Sequence, residues 1–203
     1  MQIARHKIEQ LREYIEQPQK VVILAHTNPD GDAIGSSLAW AEVLKRHGHD
    51  VTCIIPNKFP YYLDFMPGTE ELVIYKDDKE NCASKAVKSA DLIFCLDFHT
   101  MTRLDGLGDL IDENQHAKRI LIDHHLDPSE DFDLMISYTE ASSTCYLVAL
   151  LVEVMFGTES ISREMAINIF VGMMTDTGNF AFSSVTPDVF RMVSVLATKG
   201  ISI

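Results

Sequence analysis

The sequence lacks any apolar run near the ~18 residues that crossing a bilayer requires, so no membrane-spanning helix is expected. Residues 1 to 17 are charged and amphipathic, without the apolar centre of a secretory signal. Basic residues are scarce: 17 Lys and Arg stand against 30 Asp and Glu, a net charge of −13. That balance argues against a surface built to grip long duplex nucleic acid, which needs a basic footprint. The four cysteines (Cys53, Cys82, Cys95 and Cys145) form no C-x-x-C pair, and two lie inside apolar, strand-like runs. A thiolate zinc site is therefore not expected; buried free thiols in a reducing, cytoplasmic setting are. Internal repeats and low-complexity tracts are also missing. What remains is a chain of 203 residues, 46% hydrophobic and 23% charged, enough for one α/β domain with a real core.

Three short acidic and histidine-bearing clusters are present, each where a strongly apolar stretch ends. His26-Thr27-Asn28-Pro29-Asp30-Gly31-Asp32 follows Val21 to Ala25, Asp97 follows Leu92 to Leu96, and Asp123-His124-His125 follows Ile120 to Ile122. Short apolar runs bounded by polar turns read as buried parallel strands. In open α/β sheets the ligand crevice lies beyond the carboxyl ends of such strands.

The spacing predicts a helix over 2–17, a strand over 20–25, and a helix from about Asp32 to His47 closed by Gly48. Strands follow at 51–55 and 72–75, with an irregular, aromatic connection over 57–68. A helix is expected over 78–89 and a strand over 91–96, then a polar connection through Arg103 and Asp109. Strands at 119–122 and 134–138 precede three helices. The first is capped by Ser142 or Ser143 and runs to about Phe156. The second covers about 162–175, and the third about 187–199, with Pro187 in its first turn and Gly200 at its end. This alternation implies an α/β fold, a parallel sheet flanked by helices on both faces. The chain stops three residues after Gly200, so residues 1–200 read as one domain and 201–203 as the start of a linker.

The candidate site residues differ in weight. Asp32 alone would serve as a helix cap, with Gly31 permitting an unusual backbone angle between the two carboxylates. His99 lies near Asp97, in a loop that suits plain solvent exposure. Adjacent His124 and His125 after a buried strand need partners, and a carboxylate such as Asp123 fixes a ligand histidine's tautomer. Asp176 ends an apolar helix and needs either a cation or a salt-bridge partner. A donor set of imidazole nitrogen and carboxylate oxygen, with no thiolate, favours Mn²⁺ or Mg²⁺ over structural zinc. Two such ions about 3.5–4 Å apart activate a hydroxide and clamp a phosphoryl group, which points to phosphoester hydrolysis.

Taken together, these motifs resemble the DHH phosphoesterase superfamily, over about residues 1 to 200. The first motif continues through Ala33-Ile34-Gly35-Ser36, and Asp97, Asp123-His124-His125 and Gly172 to Gly178 follow in order. Phe65-Met66-Pro67-Gly68 and Ala141-Ser142-Ser143-Thr144 are also similar to family segments. The resemblance implies that His26, Asp30 and Asp97 hold one metal. It gives Asp32, Asp97, His124 and Asp176 to a second, with Asp97 bridging. It implies a catalytic role for His125 at the scissile phosphate or leaving group. Asp123 would support it, and Arg103 would contact substrate phosphate.

The opening His-x-Asn-Pro-Asp-Gly-Asp is similar to the bacterial oligoribonuclease and 3′-phosphoadenosine-5′-phosphate phosphatase branch. That implies a Mn²⁺-dependent enzyme for short single-stranded RNA and nucleoside 3′,5′-bisphosphate, with room for a homodimer. Hydrolysis of polyphosphate or pyrophosphate, and a non-catalytic nucleotide-binding domain, are the rival expectations. Family members carry a C-terminal substrate lobe that is absent from this sequence, so turnover by this chain alone is expected to be weak or nil.

Overall fold

The computed structural model describes residues 1–201; the last two positions of the expected linker lie outside the described residues. Six strands form one parallel sheet: β1 (Lys20–Leu24), β2 (Asp50–Ile55), β3 (Val73–Ile74), β4 (Leu92–Leu96), β5 (Lys118–Asp123) and β6 (Leu134–Ser137). Their spatial order is β3-β2-β1-β4-β5-β6. The chain winds outward from β1 to β3, then returns to place β4 on the other side of β1. The switch point thus falls between β1 and β4, whose residues Val21 and Leu92 are register partners.

Side-chain alternation along each strand explains why both faces are covered. Val21, Ile23, Phe94 and Ile122 point into the larger core, and Val22, Ile93, Cys95 and Leu121 into the smaller one. The larger core packs α1 (Arg5–Tyr14), α2 (Gly31–Arg46), α5 (Thr144–Phe156), α6 (Arg163–Asp176) and α7 (Pro187–Ala197) on one face. On the other lie α3 (Cys82–Ser89) and α4 (Leu107–Glu113). Trp40 anchors the larger core, fully buried and edge-on to Phe94 at 5.7 Å. Among the described residues, no helix is long and apolar enough to cross a membrane.

The α/β architecture is the expected one, with local differences. Helix α4 was not anticipated in the polar connection. Gly106, Gly108 and three acids dilute its pattern, leaving Leu107 and Ile111, both fully buried, as the only strong i,i+4 apolar pair. The aromatic connection contains a 3₁₀ turn at Tyr61–Leu63, and a further one covers Thr69–Glu71. Ser143, not Ser142, caps α5, accepting from the Tyr146 N–H at 3.0 Å.

Helix α2 is buried from Gly31 through Ala41, because it lies between the sheet and the α5–α6 pair. Close approach there depends on missing side chains. A Cβ on Gly35 would sit 2.3 Å from the Asn168 carbonyl oxygen, and one on Gly172 would sit 2.2 Å from Cys145 Sγ. Gly31 serves the same purpose: its Cβ would lie 2.6 Å from Thr175 Oγ1. Its backbone is not left-handed, so the expected unusual angle is replaced by a packing requirement. Gly35→Ala is expected to lower stability by about 1–3 kcal/mol in urea unfolding, the usual cost of overpacking. An unchanged midpoint would mean that α2 and α6 are not in close contact.

Candidate functional site

The three central strands deliver the site. β1 runs out two residues before His26, β4 one residue before Asp97, and β5 ends on Asp123. Asp97 adopts φ 64° and Asn28 φ 56°, left-handed values that only a few non-glycine residues tolerate. Such strain persists where surrounding structure over-determines it, commonly at functional sites.

Asp30 and Asp32 divide their work differently from the sequence expectation. Asp30 is the cap of α2: its Oδ1 accepts from the N–H groups of Asp32 and Ala33 at 2.9 and 3.1 Å. Asp32 is already inside the helix and fully buried. Its carboxylate accepts two backbone N–H bonds at the start of α5, from Thr144 at 2.6 Å and Cys145 at 2.8 Å. The Thr144 hydroxyl donates to Asp97 Oδ1 at 2.9 Å. These Thr144 and Cys145 contacts were not assigned from the sequence. The signal available was Ser143 as a helix cap, which leaves free N–H groups aimed outward.

The remaining donors converge on these carboxylates. His26 Nε2 lies 3.5 Å from Asp97 Oδ2, and His124 Nε2 lies 3.6 Å from Asp97 Oδ1. The two oxygens of Asp97 thus face two different histidines. His124 Nε2 is also 3.3 Å from Asp176 Oδ2 and 3.8 Å from Asp32 Oδ2. Two groups able to hold a metal result: His26 with Asp30 and Asp97, and Asp32 with His124 and Asp176. Asp97 with His124 and His125 forms a third combination, and His99 with Asp123 and His125 a fourth. His125 Nδ1 is 2.7 Å from Asp123 Oδ1, and its backbone N–H donates to Asp123 Oδ2 at 3.2 Å. Arg103 is exposed, yet its guanidinium lies 3.4 Å from His26 Nδ1, and its backbone carbonyl accepts from the Thr27 N–H at 2.8 Å.

Burial sets the electrostatics. Desolvation pushes the Asp97 carboxyl well above the usual carboxylate range, and the charges of Asp32, Asp30 and Asp123 add to it. Burial raises Asp32 to about 6 despite its hydrogen bonds from Cys145 and Thr144. It raises Asp176 to about 6 as well, with the Asp32 charge next in importance. The His26 and His124 imidazoles are pushed down by burial, which favours their neutral forms. His125 moves the other way, raised by its hydrogen bond to Asp123. Neutral histidines do not balance the carboxylates around them. His26 Nδ1 donates to the Thr27 carbonyl at 2.8 Å, which leaves a bare Nε2 lone pair facing Asp97 Oδ2.

Thr144→Val keeps the side-chain shape and removes the donor to Asp97. It is expected to cost about 1–2 kcal/mol in urea unfolding of the chelator-treated protein, with the secondary structure unchanged. An unaltered midpoint would show that the hydroxyl does not hold Asp97.

The chain is similar to known proteins. Residues 20–173 match the DHH family, N-terminal domain. The chain is 32% identical over 183 residues to the bifunctional oligoribonuclease and PAP phosphatase NrnA of Thermus thermophilus, spanning 90% of this chain and 51% of that protein. It is 28% identical over 185 residues to the cyclic-di-AMP phosphodiesterase PdeA of Listeria monocytogenes, covering 87% of this chain and 28% of that one. Among solved structures, an exopolyphosphatase-related protein from Bacteroides fragilis superimposes with a TM-score of 0.94 at 40% identity, over 98% of this chain and 58% of that one. The chain spans about half the length of the NrnA proteins it matches. On the match to its N-terminal domain, the chain belongs to the DHH family.

Proposed function

We propose that this chain is the metal-binding half of a Mn²⁺-dependent phosphoesterase that cleaves short oligoribonucleotides and nucleoside 3′,5′-bisphosphate. One observation carries the reading. Asp97 presents one carboxylate oxygen to His26 and the other to His124, at 3.5 and 3.6 Å. Lone pairs facing one another across such gaps fit a cation between them. The donors are carboxylate oxygen and imidazole nitrogen, a set that suits Mn²⁺ or Mg²⁺. In this reading His26, Asp30 and Asp97 hold one ion, and Asp32, Asp97, His124 and Asp176 hold the other. Divalent cations there supply Lewis acidity toward a phosphoryl group and toward water.

The chain's own residues do the rest. Asp123 pins His125 through its Nδ1 and its backbone N–H, leaving Nε2 as the free nitrogen. A histidine whose protonated form is favoured, at the rim of the metal groups, suits proton donation from Nε2 to the leaving oxygen. Arg103 adds a fixed positive charge beside His26 and would contact substrate phosphate. The Thr144 and Cys145 N–H groups hold Asp32, so the second group of donors is preorganised.

The substrate class leans on the NrnA proteins of Thermus thermophilus and Mycoplasma pneumoniae, whose names specify oligoribonuclease and PAP phosphatase activities. Hydrolysis of polyphosphate or pyrophosphate is the second reading, and the Bacteroides fragilis exopolyphosphatase-related protein supports its polyphosphate part. A cytoplasmic setting accords with four cysteines that are all free.

Calorimetric titration with Mn²⁺ is expected to give two ions per chain. Asp97→Ala should weaken both, because it removes an oxygen from each group. A single ion, or a variant that loses only one, would overturn the bridging role. His125→Ala should leave the stoichiometry intact and lower kcat of the full-length enzyme by about 10²–10⁴-fold. That assignment fails if His125→Ala loses metal as severely as His124→Ala. Release of mononucleotide from diribonucleotide, and of phosphate from the bisphosphate, tests the substrate class. Activity on pyrophosphate alone would select the second reading.

A further inference from the structure

The connection after β2 carries an exposed group of aromatic rings that the proposed chemistry does not use. Tyr61, Tyr62 and Phe65 are 84%, 61% and 65% exposed. Single exposed apolar residues are ordinary, but here three large exposed rings fall within five positions. The rings do not hang from a loose loop. Leu63 and Met66 are 2% and 1% exposed and pack with Ala33, Ile34 and Val171 on α2 and α6. The Thr69 hydroxyl donates to the carbonyls of Asp64 and Met66 at 3.2 and 2.9 Å. The backbone beneath the rings is therefore fixed, and Tyr61 and Tyr62 stand edge to face with centroids 6.0 Å apart.

The same segment is joined to the candidate site. Asn57 Oδ1 accepts from the Asn28 N–H at 2.8 Å, and Asn57 Nδ2 donates to Asn28 Oδ1 at 2.9 Å. Asn28 lies in the loop that carries His26 and Asp30. The segment thus begins at the carboxyl edge of the sheet, tied to the loop of the first metal group, a few residues before the rings. On the segment itself charge offers a substrate little: Lys58, the one base in residues 57–68, is paired with Asp77 at 3.2 Å. Stacking on aromatic rings needs no charge and accepts any base, because every base has a π face.

We propose that Tyr61 and Tyr62, with Phe65, form a ledge on which a substrate nucleobase stacks, selecting nucleotides over base-free phosphates. The proposal rests on the phosphoesterase reading and deepens it by naming what separates its two substrate classes. A ring contact of this kind contributes to binding, so its loss appears in KM rather than kcat.

The test uses the full-length protein with Mn²⁺ and the Tyr61→Ala/Tyr62→Ala double variant. Turnover of a diribonucleotide is compared with that of its abasic analogue, and affinity for AMP with that for ribose 5-phosphate. The expected result is a KM for diribonucleotide raised about ten-fold or more, weaker AMP binding to match, and both base-free ligands unaffected. Tyr61→Phe/Tyr62→Phe, which keeps the rings, should restore both values. Equal losses with and without the base, or no loss at all, would overturn the ledge. So would a changed oligomeric mass with unaltered nucleotide preference, which would make the patch an interface between copies. A protein that cleaves neither substrate yet binds AMP through these rings would sink the hydrolase reading and leave the ledge standing. One that cleaves both regardless of the rings would do the reverse.

Discussion

Two backbone N–H groups at the start of α5 hold the carboxylate of Asp32, fully buried, while the neighbouring Thr144 hydroxyl holds Asp97. Much of the surrounding architecture follows from the need to bury these carboxylates. A carboxylate removed from water is costly unless hydrogen-bonded, and a helix N-terminus offers unpaired N–H groups of the right polarity. For α5 to reach Asp32, α2 must lie against α5 and α6 with almost no side chain between them. Gly31, Gly35 and Gly172 meet that condition, and a Cβ on Gly172 would approach Asp32 Oδ1 to 2.9 Å as well as Cys145. The glycines are thus part of the electrostatics, because they set where the carboxylate stands.

The sheet supplies the other half of the constraint. Parallel strands end at one edge, and the order β2-β1-β4-β5 sets the ends of β1, β4 and β5 side by side. A crossover that put β4 beyond β3 instead would have parted Asp97 from His26. Adjacent strands lie about 4.8 Å apart, so side chains from neighbouring strand ends meet without long loops. Short reach also means little conformational freedom to lose when a ligand binds, which suits preorganised chemistry.

Relatives named for different activities are similar to this chain, as expected if the carboxyl edge provides phosphoester chemistry and other surfaces choose the substrate. The deep part of the site presents carboxylates and imidazoles and no group specific to a base or sugar. On the proposed reading, distinctions among RNA, nucleotide and inorganic phosphate come from its margins, where Arg103 and the ring-bearing segment after β2 would act.

Much of the fold was legible in the residues. The apolar runs at 20–25, 91–96 and 119–122 are strands because every residue in their centres is buried on one face or the other, and continuous apolar runs record that. Gly48 and Gly200 ended their helices as expected, each with a left-handed φ. Helix α4 carries no such apolar signal, because only Leu107 and Ile111 of its seven residues are buried. Residue type and position after a strand marked His26, Asp30, Asp32, Asp97, Asp123, His124 and His125 as site candidates, and the end of an apolar helix marked Asp176. Their number along the chain says nothing about which oxygen faces which nitrogen. The sequence by itself determined the layers, the strands and the chemical character of the donors, since these follow from local pattern and composition. Tertiary structure alone decided that Asp32 is held by α5, that the two oxygens of Asp97 face two histidines, and that three glycines are contact points. Those facts depend on packing residues that lie far apart in the chain, Asp32 and Thr144 being 112 positions apart, and no local pattern records such a pairing.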